Sequence, residues 1–296
     1  MSARDAFYFA AGIGFLALAK GKHTLQGYTS PKPFDVTEID RCIDYDQRVV
    51  DEWLAALHRY SGSTELAGKN VLELGPGSDL GVGLFLLARG AAKYNACDVN
   101  NLVARTPPEL YEALFARLRG HANGQDVGAL RAELDQQRNS RPSRLNYVVR
   151  PDFDLVAAVG PGSIDQVFSQ AAFEHFDDID AVVRQLTQVC KPGARIVAEI
   201  DLKTHSRWIR DHDPNNIYRY PDALYNLFHF RGIPNRVRPH QYEEAFARHG
   251  WQNIQANALA KVGNGASAPS AWSRRFQADV NRMDCLSIMF CATRGA

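Results

Sequence analysis

The chain has 296 residues, 45% hydrophobic and 23% charged, enough to bury a large core in one elaborated domain. Its 34 basic and 33 acidic side chains leave a formal net charge of +1, which supplies no field for a phosphate backbone and argues against a nucleic-acid partner. The five cysteines, Cys42, Cys97, Cys190, Cys285 and Cys291, are scattered without a C-x-x-C pair. Neither a disulfide framework nor a zinc site is signalled, and no metal is expected.

Residues 6–19, AFYFAAGIGFLALA, form a continuous apolar run. It is too short for a spanning helix, which needs about 20 residues. A helix packed on the body or on a second copy of the chain is the plain reading; peripheral membrane contact and a signal-peptide core are the others. Residues 26–33 are a proline-broken turn. Asp35 to Glu38 then open a helix in which Ile43, Val49, Val50, Trp53, Leu54 and Leu57 recur at helical spacing.

Residues 70–98, NVLELGPGSDLGVGLFLLARGAAKYNACD, organise the rest. A short apolar strand runs into Gly75-Pro76-Gly77, Ser78 or Asp79 caps an apolar helix, and a second strand ends on Asp98. Glycines let a ligand approach the backbone, a helix start offers unpaired N–H groups, and the acid can accept from a ribose hydroxyl. A dinucleotide fingerprint needs a third glycine three residues after Gly77, where Leu80 stands; Gly81 is one place late. Glu73, two residues before the first glycine, is a poor neighbour for pyrophosphate but suits a ligand carrying an ammonium and a sulfonium.

After Asp98, residues 101–142 read as a helical insertion with two amphipathic patches, Leu110, Leu114, Phe115 and Leu118, then Val127, Leu130 and Leu134. Strands are expected at 145–149, 164–169, 195–200, 251–260 and 285–293, with helices at 241–250 and 274–283 and a polar loop at 263–271. His175 follows the fourth strand and His205 the fifth, at the carboxyl ends where open parallel sheets place their chemistry. Between them and residue 240 come Trp208, Tyr218, Arg219, Tyr225, His229 and Arg236. Aromatic faces can cover a ring and guanidinium forks can hold phosphate; alternatively the stretch is a helical lid with an aromatic satellite core and solvated arginines.

The E-x-G-x-G at Glu73–Gly77, with an acid ending the next strand, resembles the opening motifs of class I S-adenosylmethionine (SAM)-dependent methyltransferases. Ile164-Asp165-Gln166-Val167-Phe168-Ser169 resembles that family's D-x-V-x-S fourth strand. Residues 186–200, LTQVCKPGARIVAEI, resemble its helix, L-K-P-G-G turn and fifth strand, with Cys190 and Ala194 replacing leucine and glycine. The resemblance covers about residues 70–202 and the C-terminal strands. It implies a Rossmann-like α/β fold with a seven-stranded sheet, mostly parallel with one antiparallel strand, and helices on both faces. That domain would span 67–296, with the helical insertion at 101–144 and a lid-like one at 204–240, behind a helical N-terminal extension or cap at 1–66.

The resemblance also implies SAM as cofactor and S-adenosylhomocysteine as product, held by Glu73, Gly75, Pro76, Gly77, Asp98 and Val99, and by Ser169 and Gln170. Asp152 would take the adenine amino group, with Asp154 competing, and Phe153 would stack on the ring. N-terminal helices often cover such a site, which makes Tyr28 and Tyr45 candidates for closing it. The cytoplasm is the expected location, because SAM is not supplied outside the cell.

Transfer to a hydroxyl needs a base, and histidine is the matched type near neutral pH. His205 is the first candidate. His175 is second, since Glu174-His175 also reads as a helix cap beside the cofactor. The acceptor is expected to be a small molecule, because Y-T-S-P-K-P-F and the 218–238 stretch resemble methyltransferases of polysaccharide or natural-product assembly; its hydroxyl would sit on a sugar, glycan or natural-product intermediate. The alternatives are N- or C-methylation of a metabolite, a SAM-binding scaffold without catalysis, and an NAD-dependent oxidoreductase.

Overall fold

The computed structural model describes residues 2–27, 35–119, 126–263 and 271–296. Tyr28 with its turn, and most of the loop expected at 263–271, lie outside them. Two helices precede the sheet, α1 (Ala3–Gln26) and α2 (Ile39–Ser61). The alternation then runs β1 (Asn70–Leu74), α3 (Gly81–Ala88), β2 (Lys93–Asp98), α4 (Pro108–Leu118), α5 (Val127–Arg138), β3 (Leu145–Val149), α6 (Leu155–Val159), β4 (Ile164–Gln170), α7 (Ile179–Val189) and β5 (Cys190–Asp201). The chain closes with α8 (Arg207–His212), α9 (Asp222–Asn226), α10 (Pro239–Arg248), β6 (Trp251–Lys261) and β7 (Cys285–Arg294).

The seven strands form one sheet in the order β3-β2-β1-β4-β5-β7-β6. The first five are parallel, and β7 pairs antiparallel with both β5 and β6. Successive residues of a strand face opposite sides, and each side has its own core. Val71, Tyr94, Ala96 and Phe168 pack under α2 to α5, where the Trp53 ring stacks on Phe168 at 4.9 Å. Leu72, Leu74, Cys97 and Val167 pack with α7 and α10 on the other side. All five cysteines are buried and free, behaving as small apolar residues.

A third, smaller core joins α1 to the segment after β5: Leu16 packs with Ile217, Tyr218, Tyr220, Tyr225, Ile233, Phe276 and Met283. Ser2 and Asp5 close a capping box at the start of α1. Gly12 lets the helix lie directly on Asn216 and Tyr220, since a Cβ there would come 1.9 Å from Asn216 Oδ1 and 2.1 Å from Tyr220 Oη. Among the described residues no helix is long and apolar enough to cross a membrane.

Two local expectations change. The residue preceding α3 is Leu80, with no side-chain cap; Asp79 instead accepts the Gly81 N–H at 2.9 Å, and the Tyr111 hydroxyl accepts the Leu80 N–H. The Leu80 and Gly81 N–H groups are therefore already satisfied within the protein. The helix expected at 274–283 is two 3₁₀ turns, Arg274–Phe276 and Asp279–Asn281. Asn281 Nδ2 donates to the Arg275 and Ala278 carbonyls, and Arg282 is left-handed at φ 46°, so the carbonyl ladder of an α-helix is broken there.

Candidate active site

The parallel register brings the ends of β1 to β4 to one edge. Leu74 lies between Cys97 and Ser169, and Asp98 lies opposite Val149. Gly75 and Gly77 are both left-handed, at φ 69° and 79°, a conformation glycine adopts without strain. A Cβ on Gly75 would approach that of Ala172 to 2.9 Å, so the turn presses against the exit of β4. Pro76 and Gly77 are buried. Glu73 is buried beneath the turn and accepts from the Tyr94 hydroxyl at 2.5 Å.

Asp98 is buried and accepts the Asn100 N–H at 2.9 Å. Burial pushes its carboxyl upward, against the Asn100, Val99 and Gly77 N–H groups that pull it down. Val99 is partly buried against the core. Gln170, at the end of β4, has its Oε1 out of solvent and unpartnered among the described residues.

Three side chains expected at the cofactor already have partners within the protein. The Ser169 hydroxyl donates to the Leu74 carbonyl at 3.2 Å, clipping β4 to β1. Asp152 is exposed and held bidentate by Arg150, which keeps its carboxyl below the usual range. Its competitor Asp154 caps α6 through the Ala157 N–H. Phe153 is buried and left-handed at φ 52°, its ring 4.8 Å from that of Phe176. Tyr45 lies under the Arg48 guanidinium and packs on the first core.

On the acceptor side, a 3₁₀ turn after β4 (Phe173–His175) and the exit of β5 bring Glu174, His175 and His205 together. The His175 and His205 rings are 4.8 Å apart, and one nitrogen or oxygen from each of the three residues lies within 4.8 Å of the others. The chain returning from α9 closes over them: His175 Nδ1 sits 2.5 Å from the Gly232 carbonyl, and the Asn235 N–H donates to the Glu174 carbonyl at 2.7 Å.

Glu174 does not cap the following helix, a role Asp178 fills. Its carboxyl is buried with both oxygens unpartnered among the described residues, and burial, with Asp201 nearby, holds it well above the ordinary range. Burial also lowers His175, and takes His205 down to about 3 with help from His175, Arg210 and Lys203. His205 is thus a neutral lone pair at physiological pH rather than a group titrating near it. The Glu174 environment is what the sequence could not give, because its isolation depends on which distant groups stay away.

Most of the residues expected on the acceptor side already have partners within the protein. Arg219 is buried between Asp213, at 2.6 Å, and Asp5 on α1, at 3.1 Å. Arg236 is buried over the Tyr225 ring and donates to the Tyr220 and Ile217 carbonyls and to Asp222. The Tyr218 and Tyr225 hydroxyls donate to the Leu202 and Pro234 carbonyls. These side chains are neither phosphate forks nor solvated lid residues; they hold the insertion together. Trp208 is exposed and stacked between Phe15 and His212, and His229 meets Asp177 on the surface.

This sheet order, with its glycine turn and buried acid, is the Rossmann-like fold of class I SAM-dependent methyltransferases. Residues 45–256 match the methyltransferase-domain family, and the chain belongs to it. SAM is the cofactor of that class, and the residues present fit it: a left-handed glycine cradle, an acid at the end of β2 and an orphaned amide oxygen on Gln170.

No curated protein matches the chain in sequence. Among solved structures it is similar to phosphoethanolamine N-methyltransferase 2 of Haemonchus contortus in complex with SAM, at 16% identity and TM-score 0.47, over 83% of this chain and 53% of that one. It thus spans about half the length of that enzyme. It is also similar to a SAM-dependent methyltransferase from Mesorhizobium loti, at 16% identity and TM-score 0.42, over 83% of this chain and 100% of that one.

Proposed function

We propose that the protein methylates a hydroxyl of a small molecule, on a sugar, glycan or natural-product intermediate, at the carboxyl ends of β4 and β5. The observation that carries this reading is the Glu174–His175–His205 cluster, next to the glycine turn through Ala172. SAM, when bound, supplies an electrophilic methyl on a sulfonium.

The chain's own residues do the rest. Gly75 and Gly77 give the cofactor's amino-acid end access to backbone, Asp98 accepts from its ribose, and Phe153 walls the adenine. His205 and His175 orient the acceptor's O–H and handle its proton, which becomes acidic as the new O–C bond forms. Residues 204–240 act as the lid, held on the rim by Arg231 to the Pro151 carbonyl and by His229 to Asp177, with Trp208 and His229 at its outer face. Residues 1–66 form the cap, α1 supporting the lid from behind.

The test is turnover on a panel of hydroxylated acceptors with S-adenosylhomocysteine calorimetry beside it. His205→Ala is expected to lower turnover by about 10²–10⁴ with cofactor affinity unchanged. Full turnover in that variant would reject the assignment.

A further inference from the structure

The cluster contains something that direct proton transfer leaves unused: a buried carboxyl group with no side-chain partner on either oxygen. The Glu174 oxygens and His205 Nε2 are out of solvent with no side-chain partner among the described residues, only the Glu174 and Asp201 backbone N–H groups drawing the carboxyl down. The cations nearest in sequence to His205 are committed elsewhere, Arg210 to Asp201 at 2.7 Å and Lys203 to Asp201 at 3.5 Å. A buried carboxyl with no balancing charge stays neutral, and a bound cation would let it ionise. His175 is already arranged as ligand histidines are: Nδ1 is fixed on the Gly232 carbonyl, which leaves Nε2 as the free lone pair.

We propose that Glu174, His175 Nε2 and His205 Nε2 together bind one divalent first-row transition ion. Two imidazole nitrogens and one carboxylate suit Zn²⁺, Mn²⁺, Fe²⁺ or Co²⁺, whereas Mg²⁺ and Ca²⁺ take oxygen sets. Ligand bonds of about 2.0–2.2 Å would bring the donor atoms to roughly 3 Å from one another. One ligand atom of each residue now lies within 4.8 Å of the others, so binding would draw the side chains inward.

Three protein ligands leave positions open, as catalytic sites do and structural zinc sites do not. The inference rests on the reading that an acceptor hydroxyl meets this cluster, and in it the ion takes over from the two histidines the activation of the O–H. The hydroxyl oxygen coordinates the ion, the O–H bond breaks with its electron pair kept on oxygen, and the proton passes to water.

The full-length protein, stripped with a chelator, is titrated with Zn²⁺ against a chromophoric chelator and with Co²⁺ by visible absorption. About one ion per chain is expected. Glu174→Gln and His205→Gln should each weaken uptake more than about tenfold, while His58→Gln, on an exposed position of α2, leaves it unchanged.

No saturable uptake by the parent protein, or undiminished uptake in both folded variants, overturns the site. If the variants melt early, the parent's Co²⁺ spectrum decides: bands of nitrogen–oxygen coordination support it and the spectrum of hydrated Co²⁺ overturns it. A stripped protein that binds S-adenosylhomocysteine and methylates at an unchanged rate sinks the ion alone. Loss of S-adenosylhomocysteine binding by the metal-loaded parent sinks the methyltransferase reading instead.

Discussion

The cofactor turn and the insertion over the acceptor side are made of different materials. The turn is backbone: two left-handed glycines, a proline and the ends of parallel strands, with the buried Asp98 carboxyl at its rim. The insertion is buried side-chain charge: Arg219 between Asp213 and Asp5, Arg236 on main-chain carbonyls, and Arg238 donating to the Asn281, Arg282 and Cys285 carbonyls. A backbone site is indifferent to most neighbouring side chains and sensitive to glycine replacement. A charge-built segment is the reverse. Damage to the insertion should therefore register as lost stability, and damage to the turn as lost affinity.

The largest expected effect is at Asp213. Asp213→Ala leaves the Arg219 guanidinium buried with one partner fewer, and breaking such a pair costs about 3–5 kcal/mol. Thermal or urea unfolding reads it. Replacing both residues, Asp213→Leu with Arg219→Met, should recover part of the loss; an unshifted Asp213→Ala midpoint would mean the insertion is held by other means.

Gly12→Ala comes next. The added methyl meets Asn216 and Tyr220, whose side chains must move, at a cost of about 1–3 kcal/mol. Proteolysis of α1 should quicken in this variant, whereas cofactor affinity should not change.

The smallest effect belongs to the far end of the sheet. Burial pushes Asp165 up, but the Lys191 ammonium and the Asn70 N–H outweigh it and leave its carboxyl below the ordinary aspartate value of 3.8. A depressed folded pKa stabilises above the unfolded one and is lost as pH falls through the folded value. The melting difference between parent and Asp165→Asn should thus be present at pH 6 to 7 and fade below about 3.8. A difference that persists at lower pH would assign it to packing.

The two regions also differed in how much their residues disclosed. The strand runs, the glycine turn and Asp98 were legible because each depends on neighbours within thirty positions, from apolar runs to φ angles only glycine tolerates; β3 falls on the expected 145–149. The roles of Arg219 and Arg236 were not legible. Arg219 meets Asp5 across 214 positions, and no local pattern separates an arginine so held from one awaiting phosphate. The same holds for Ser169, whose hydroxyl is spent on a neighbouring strand, and for Glu174, whose lack of partners is a property of the assembled site. His175 and His205 were found by position after a strand, and their proximity followed from the β4–β5 pairing.

The central claim is that the turn after β1 and the acid ending β2 hold a sulfonium nucleoside. Calorimetry of S-adenosylhomocysteine with Asp98→Ala tests it most directly. The account predicts binding weakened about 10- to 100-fold, the worth of one charged hydrogen bond, with the unfolding midpoint not lowered. Parent-like affinity in the folded variant would contradict it.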